Sequence, residues 1–259
     1  MRKGIYILPN LFTLANLSLG FYSIICSLQE KFEVASYIIL FAMLFDVLDG
    51  KIARLTNTTS RFGVEFDSLA DLVSFGVAPS IMLYTFTLQK FGRIGWLLAL
   101  LFVVGGALRL ARFNVQSTGS EKSNFTGLPI PAAAGVMSCY ILVALERHWI
   151  GHKIFLPIMI ILISYLMVSN LTYISFKNFN LSKRKPFSVL ITMALIIYIV
   201  ALNPEISIFV ILLFYASSGV IGYLFGVKYE RLLDAVKYGH TKTSKIKIEK
   251  NTYGNNYPQ

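Results

Sequence analysis

The sequence predicts an all-α, polytopic integral membrane protein with about eight transmembrane helices. Apolar residues make up 55% of the 259 positions, and they arrive in blocks of about 17–25, the length that crosses a hydrocarbon core. Asp, Glu, Lys and Arg together reach 14%, against about 25% in an ordinary soluble domain. The cations are also divided unequally between alternate ends of the apolar blocks. A soluble all-helical protein does not account for so many long apolar runs.

The first span, 5–28, follows Arg2 and Lys3 and is interrupted by Asn10, Thr13 and Asn16. No small-x-small cleavage site follows, so a retained span is expected rather than a signal peptide. The second, 34–52, ends in Asp46, Asp49 and Lys51, and the third, 68–88, opens beside Asp67 and Asp71. The fourth, 94–113, ends in Arg109 and Arg112. The fifth, 128–146, opens on Pro129 and Pro131, a position where a helix leaves its first amides unpaired anyway. The sixth, seventh and eighth, at 154–174, 187–203 and 206–226, are predominantly apolar. From Lys228 the chain turns hydrophilic and basic, as expected of a short amphipathic piece followed by disorder.

With both termini on one side, 19 of the 24 Lys and Arg residues share that side. The positive-inside rule then places the termini and the aspartates at the cytoplasmic face of the cytoplasmic membrane. The net charge of +11 serves topology and contact with anionic membrane lipid. No aromatic-interleaved basic groove calls for nucleic acid. Cys26 and Cys139 lie within apolar spans and are expected to be buried thiols. His148, His152 and His240 are scattered and form no metal set.

Four of the five aspartates fall within 26 residues: Asp46, Asp49, Asp67 and Asp71. Asp46 and Asp49 share a helix face at i,i+3, as do Asp67 and Asp71 at i,i+4. If the second and third helices are antiparallel neighbours joined by a short link, the four carboxylates converge. Such a set of hard oxygen ligands suits two divalent ions, Mg²⁺ or Mn²⁺. Gly50, Ala53 and Gly63 flank the carboxylates and let a ligand approach closely. Arg54, on the face of Gly50, suits a phosphate. A lone aspartate at one of these positions would read as a solvated helix end or a cap.

The pattern Asp46-x-x-Asp49-Gly50-x-x-Ala53-Arg54, eight residues, Gly63-x-x-x-Asp67-x-x-x-Asp71 resembles the signature of the CDP-alcohol phosphatidyltransferase family. That resemblance implies a six-helix membrane core with a two-metal site at the cytoplasmic interface, usually in a homodimer. It implies that Asp46, Asp49 and Asp67 bind one metal, that Asp46, Asp67 and Asp71 serve the second, and that Asp71 is the general base. Gly50, Arg54 and Ser60 would contact the CDP part of the donor, with Ala53 and Gly63 beside them. Asn10 and Thr13, in Pro9-Asn10-Leu11-Phe12-Thr13, resemble the family's N-terminal nucleotide-contacting stretch. The implied division is a core at 1–180, two additional helices at 181–227 and a basic tail at 228–259.

The signature leaves the acceptor open among serine, inositol phosphate, glycerol phosphate and others. Arg109, Arg112 and Asn114 could hold a carboxylate or phosphate by charge-assisted hydrogen bonds, or serve as ordinary basic anchors at the end of a span. Three segments resemble the family's serine-accepting branch: Arg109-Leu-Ala-Arg112-Phe113-Asn114; Phe125-x-Gly127-Leu128-Pro129-x-Pro131; and Leu166-Met167-Val168-Ser169-Asn170, with Tyr173, Ser175, Phe176 and Lys177 beyond it. The resemblance implies transfer from CDP-diacylglycerol to L-serine, with Arg109, Arg112, Asn114 and Lys177 candidates for the serine carboxylate. Outside this chemistry stand a divalent-cation transporter and a scaffold whose acidic cluster pairs with Lys51, Arg54 and Arg61. Transport sites usually lie near the bilayer midplane, whereas these aspartates lie at span ends.

Overall fold

Long apolar stretches with few interior helix breakers can satisfy their backbone in lipid only as helices. The computed structural model describes residues 7–55, 60–117, 127–147, 152–171, 173 and 202–223, and among them every regular element is helical. The helices are α1 (Ile7–Leu28), α2 (Phe32–Leu55), α3 (Arg61–Asp71), α4 (Ala78–Phe86), α5 (Arg93–Ser117), α6 (Ile130–Glu146), α7 (His152–Val168) and α8 (Pro204–Tyr223). α3 runs into α4 through a π-helical segment, Leu72–Val77, and a short 3₁₀ turn, Leu88–Phe91, leads to α5. The compact unit that carries the site is Met1–Gly219; of the second unit, Val220–Gln259, only 220–223 are described.

Among the described residues, four stretches are long and apolar enough to cross a bilayer: Asn10–Leu28, Arg61–Phe86, Arg93–Gln116 and Pro204–Tyr223. Ile130–Glu146 and Ile154–Val168 are shorter apolar helices. Outward-facing Phe21, Phe41, Tyr165 and Phe214 are exposed, the arrangement expected where lipid is the solvent. The chain is an all-α polytopic integral membrane protein. Most of the expected seventh span, and the tail, lie outside the described residues.

The third span begins earlier than the sequence pattern predicts. Ser60 caps α3 in an extended conformation, its Oγ accepting from the Gly63 amide at 3.0 Å. Helix therefore starts at Arg61, and Asp67 and Asp71 sit about two and about three turns inside it. A cap of this kind satisfies an amide that the helix start would leave unpaired.

α6 is the central element. It is hydrophobic around its whole circumference, and almost all its side chains from Ile130 to Ala144 are buried, as expected of a helix enclosed by neighbours. α2, α4, α5, α7 and the π segment all pack on it. The turn before it is fixed by Gly127, at φ +83, where a Cβ would lie 2.3 Å from the Met167 carbonyl oxygen. Gly127 N–H donates to Leu171 O at 2.9 Å and Leu128 N–H to Leu166 O at 3.0 Å. The Gly-Leu-Pro segment is thereby docked on the end of α7.

The packing that matters most for the site belongs to α1. It lies against α2 and also against α3, the π segment and α4, while α2 and α3 make little direct contact. α2 also packs directly on the π segment and α4, so the second and third spans are neighbours as expected, with α1 lying against both.

Candidate active site

At i,i+3 spacing α1 presents Asn10, Thr13 and Asn16 toward the aspartate-bearing helices. Thr13 Oγ1 donates to Asp49 Oδ2 at 3.2 Å, and Asn16 Nδ2 donates to Asp71 Oδ1 at 3.3 Å. Asn10 Oδ1 lies where it would be 3.3 Å from a Cβ on Gly63, beside Ser60 Oγ at 3.2 Å. Asn10, Ser60 and Gly63 thus border one small space that an added side chain would fill. Packing of Phe12 against Phe45, with ring centroids 6.0 Å apart, holds α1 to α2 next to Asp46.

One carboxylate oxygen from each of Asp46, Asp49 and Asp67 lies within 4.8 Å of the others. Asp71 is buried and lies within electrostatic range of Asp46, Asp67 and Asp49. Arg109, from the end of α5, lies within electrostatic range of both Asp71 and Asp46 and over the ring of Phe113 at 5.7 Å. One guanidinium offsets only part of the charge that four ionised carboxylates would bring, and burial of uncompensated charge is costly.

These residues fit a divalent ion. Asp67 Oδ1 is buried without a hydrogen-bond partner, which leaves a hard oxygen donor free inside the cluster. Oxygens held at about 2.0–2.1 Å on one small ion lie within about 4.2 Å of each other, so a modest side-chain adjustment closes the observed 4.8 Å. The donor set is all carboxylate, as Mg²⁺ and Mn²⁺ prefer.

The basic residues at the end of α5 divide between two settings. Arg109 faces the aspartates. Arg112 instead donates to the Val168 carbonyl at 3.4 Å and to Asn170 Oδ1, tying α5 to the end of α7. Asn114 Nδ2 donates to Glu65 Oε2 at 3.2 Å, and its Oδ1 accepts from Ser68 Oγ at 3.2 Å, which ties α5 to α3. Ala53 and Arg54 belong to the last turn of α2; Lys177 lies outside the described residues.

Two residues at the centre are absent from the signature: Asn16, on Asp71, and Ser74, whose Oγ donates to the Asn16 carbonyl at 2.9 Å. The signal that could have found Asn16 is its i,i+3 spacing from Thr13 and Asn10 along an otherwise apolar helix. Nothing in the sequence marks Ser74, because its partner is 58 residues away.

Comparison with known proteins accords with this geometry. A profile of the CDP-alcohol phosphatidyltransferase family matches residues 6–169, which hold all four aspartates. The chain is 41% identical over 224 residues to a CDP-diacylglycerol–serine O-phosphatidyltransferase of Helicobacter pylori, covering 85% of this chain and 92% of that protein. It is 40% identical over 168 residues to the archaetidylserine synthase of Methanothermobacter thermautotrophicus, covering 64% and 69% of the two chains. A Bacillus subtilis CDP-diacylglycerol–serine O-phosphatidyltransferase is 36% identical over 170 residues, covering 66% of this chain and 91% of that one. With the signature aspartates gathered at one site and the profile spanning α1 to the end of α7, this chain belongs to the CDP-alcohol phosphatidyltransferase family.

Proposed function

We propose that the chain transfers the phosphatidyl group of CDP-diacylglycerol to the hydroxyl of L-serine, forming phosphatidylserine and releasing CMP. The observation that carries this reading is the convergence of Asp46, Asp49 and Asp67 within 4.8 Å beside a buried Asp71. Serine as the acceptor is supported by relatives named CDP-diacylglycerol–serine O-phosphatidyltransferase.

In this reading Asp46, Asp49, Asp67 and Asp71 hold two divalent ions, Mg²⁺ or Mn²⁺. Bound there, the ions would supply charge neutralisation for the pyrophosphate and the departing CMP. Asn10, Thr13, Gly50, Ala53, Arg54, Ser60 and Gly63 surround the CDP moiety, and the absence of a Cβ at Gly63 leaves room for it. Asp71 takes the proton of the serine hydroxyl as its oxygen attacks the lipid-bearing phosphorus, and the P–O bond to CMP breaks. Most of the rate enhancement comes from positioning and charge. Arg109, next to Asp71, holds the serine carboxylate, while Arg112 and Asn114 brace α5 against α7 and α3. Lys177 is a second candidate for the carboxylate.

The termini and the site face the cytoplasm from the cytoplasmic membrane, a reading supported by the surplus of Lys and Arg on one side. The protein works as a homodimer, with residues 1–180 as its catalytic core. The deciding experiment offers purified protein a defined CDP-lipid with labelled serine and competing alcohols, and identifies the product by mass spectrometry. Phosphatidylserine with CMP is expected. A product made only from glycerol 3-phosphate or inositol phosphate would replace the acceptor, and metal flux without CMP release would replace the enzyme with a transporter. Asp71→Asn is expected to abolish transfer while CDP-lipid still binds; full activity in that variant removes Asp71 from the mechanism.

A further inference from the structure

Asn16 lies outside the family signature yet touches one of its buried carboxylates, that of Asp71. It is completely buried, at 0% exposure, and its Nδ2 donates to Asp71 Oδ1. Its own Oδ1 is buried with no hydrogen-bond partner. Asparagine is a poor choice for the middle of an apolar helix, and a buried acceptor without a donor destabilises the fold further. Leucine would fill similar space with neither penalty. What the asparagine contributes is therefore the one bond it makes, the bond to Asp71.

The backbone on both sides of that bond is held as well. A π-helical segment, Leu72–Val77, begins at the residue after Asp71, and such segments often mark functional positions in helices. Ser74, within it, donates through Oγ to the Asn16 carbonyl at 2.9 Å. The crossing is close enough that a Cβ on Gly20, one turn beyond Asn16, would lie 2.5 Å from Ser74 Cα. Asn16 thus grips Asp71 with its side chain and is gripped by Ser74 at its backbone.

We propose that Asn16 is a positioning residue for Asp71, fixing the plane of the carboxylate that receives the proton of the acceptor hydroxyl. This rests on the reading of Asp71 as general base. Asn16 acts through Asp71 without contacting either substrate, so its loss lowers turnover and leaves substrate affinity in place. A residue that merely supported the helix crossing would show the opposite pattern, with lost stability and normal turnover per folded molecule.

The test uses the full-length protein with saturating Mg²⁺ or Mn²⁺ and compares Asn16→Leu, Asn16→Ala and Asp71→Asn with the parent. Both Asn16 variants are expected to lose about 10–100-fold in kcat for CMP release, as when a residue orienting a metal ligand is removed. The KM values for serine and CDP-diacylglycerol should change by less than about threefold, since the lost interaction is not one of substrate binding. Asn16→Leu should melt no lower than the parent, and Asn16→Ala covers the case in which leucine does not fit. Parental kcat in the Asn16 variants, with Asp71→Asn inactive, overturns the role of Asn16 alone. A fall in activity that only tracks the loss of folded protein also overturns it. An active Asp71→Asn overturns the reading of Asp71, and the inference with it.

Discussion

Gly20→Ala concentrates the consequences of the α1 crossing in one methyl group. An ideal Cβ at Gly20 would lie 2.2 Å from Ser74 Oγ, 2.7 Å from Ser74 Cβ and 2.5 Å from Ser74 Cα. Carbon atoms rest at about 3.5–4.0 Å, so relief requires α1 and the π segment to part by about 1 Å or more. The contact with Ser74 Cα is with backbone, and no rotamer change removes it. The Ser74–Asn16 hydrogen bond, now 2.9 Å, would open beyond useful range. The Asn16–Asp71 bond, already 3.3 Å, would be lost with it. Overpacking costs about 1–3 kcal/mol, and two lost hydrogen bonds add about 1–3 kcal/mol together. A displacement of about 1 Å near the reacting groups can lower turnover by about 100-fold. CMP release and thermal melting, measured on the same detergent-solubilised samples, would read both effects. Adding Ser74→Gly removes the Oγ and Cβ clashes and leaves the one with Cα, so partial rescue is expected. Parental melting and turnover in Gly20→Ala would refute the close approach, and complete rescue by Ser74→Gly would refute its backbone origin.

Chelation of divalent ions is expected to abolish CMP release, and Mg²⁺ or Mn²⁺ to restore it; activity that survives exhaustive chelation would remove metal from the reaction. Asp49→Asn removes one ligand charge from the carboxylate set and is expected to raise the metal concentration needed for half-maximal rate by about 10-fold or more; an unchanged metal titration would exclude Asp49 as a ligand. Arg109→Ala is expected to raise the KM for serine by about 10-fold or more, the scale of a lost charge-assisted hydrogen bond, and an unchanged KM would move the carboxylate contact elsewhere. Arg112→Ala loses the ties to Val168 and Asn170 and is expected to cost about 1–3 kcal/mol of stability with little change in serine KM. A large KM increase there would return Arg112 to the serine site.

Most of the spans and the four aspartates were legible because both rest on local regularities. Apolar length follows from bilayer thickness, and i,i+3 or i,i+4 spacing places carboxylates on one helix face. The start of α3 was less legible: Arg61, Phe62 and Glu65 do not look like the beginning of a span, and the Ser60 cap shows only in the folded chain, where its Oγ meets the Gly63 amide. Arg109 and Arg112 are equivalent in sequence, one turn apart and both basic. Their separation into a residue facing the aspartates and a brace on α7 depends on which way each points around α5.

By itself, the sequence determined that this is a polytopic helical membrane protein and that Asp46 shares a helix face with Asp49, and Asp67 with Asp71, because hydropathy and helical period are properties of neighbouring residues. The tertiary structure decided how those carboxylates meet. α1 lies against both aspartate-bearing helices, joining Thr13 to Asp49 and Asn16 to Asp71, while Gly20 lets it approach Ser74. Those contacts link residues 36 to 58 positions apart, and a separation of that kind leaves no local period in the chain.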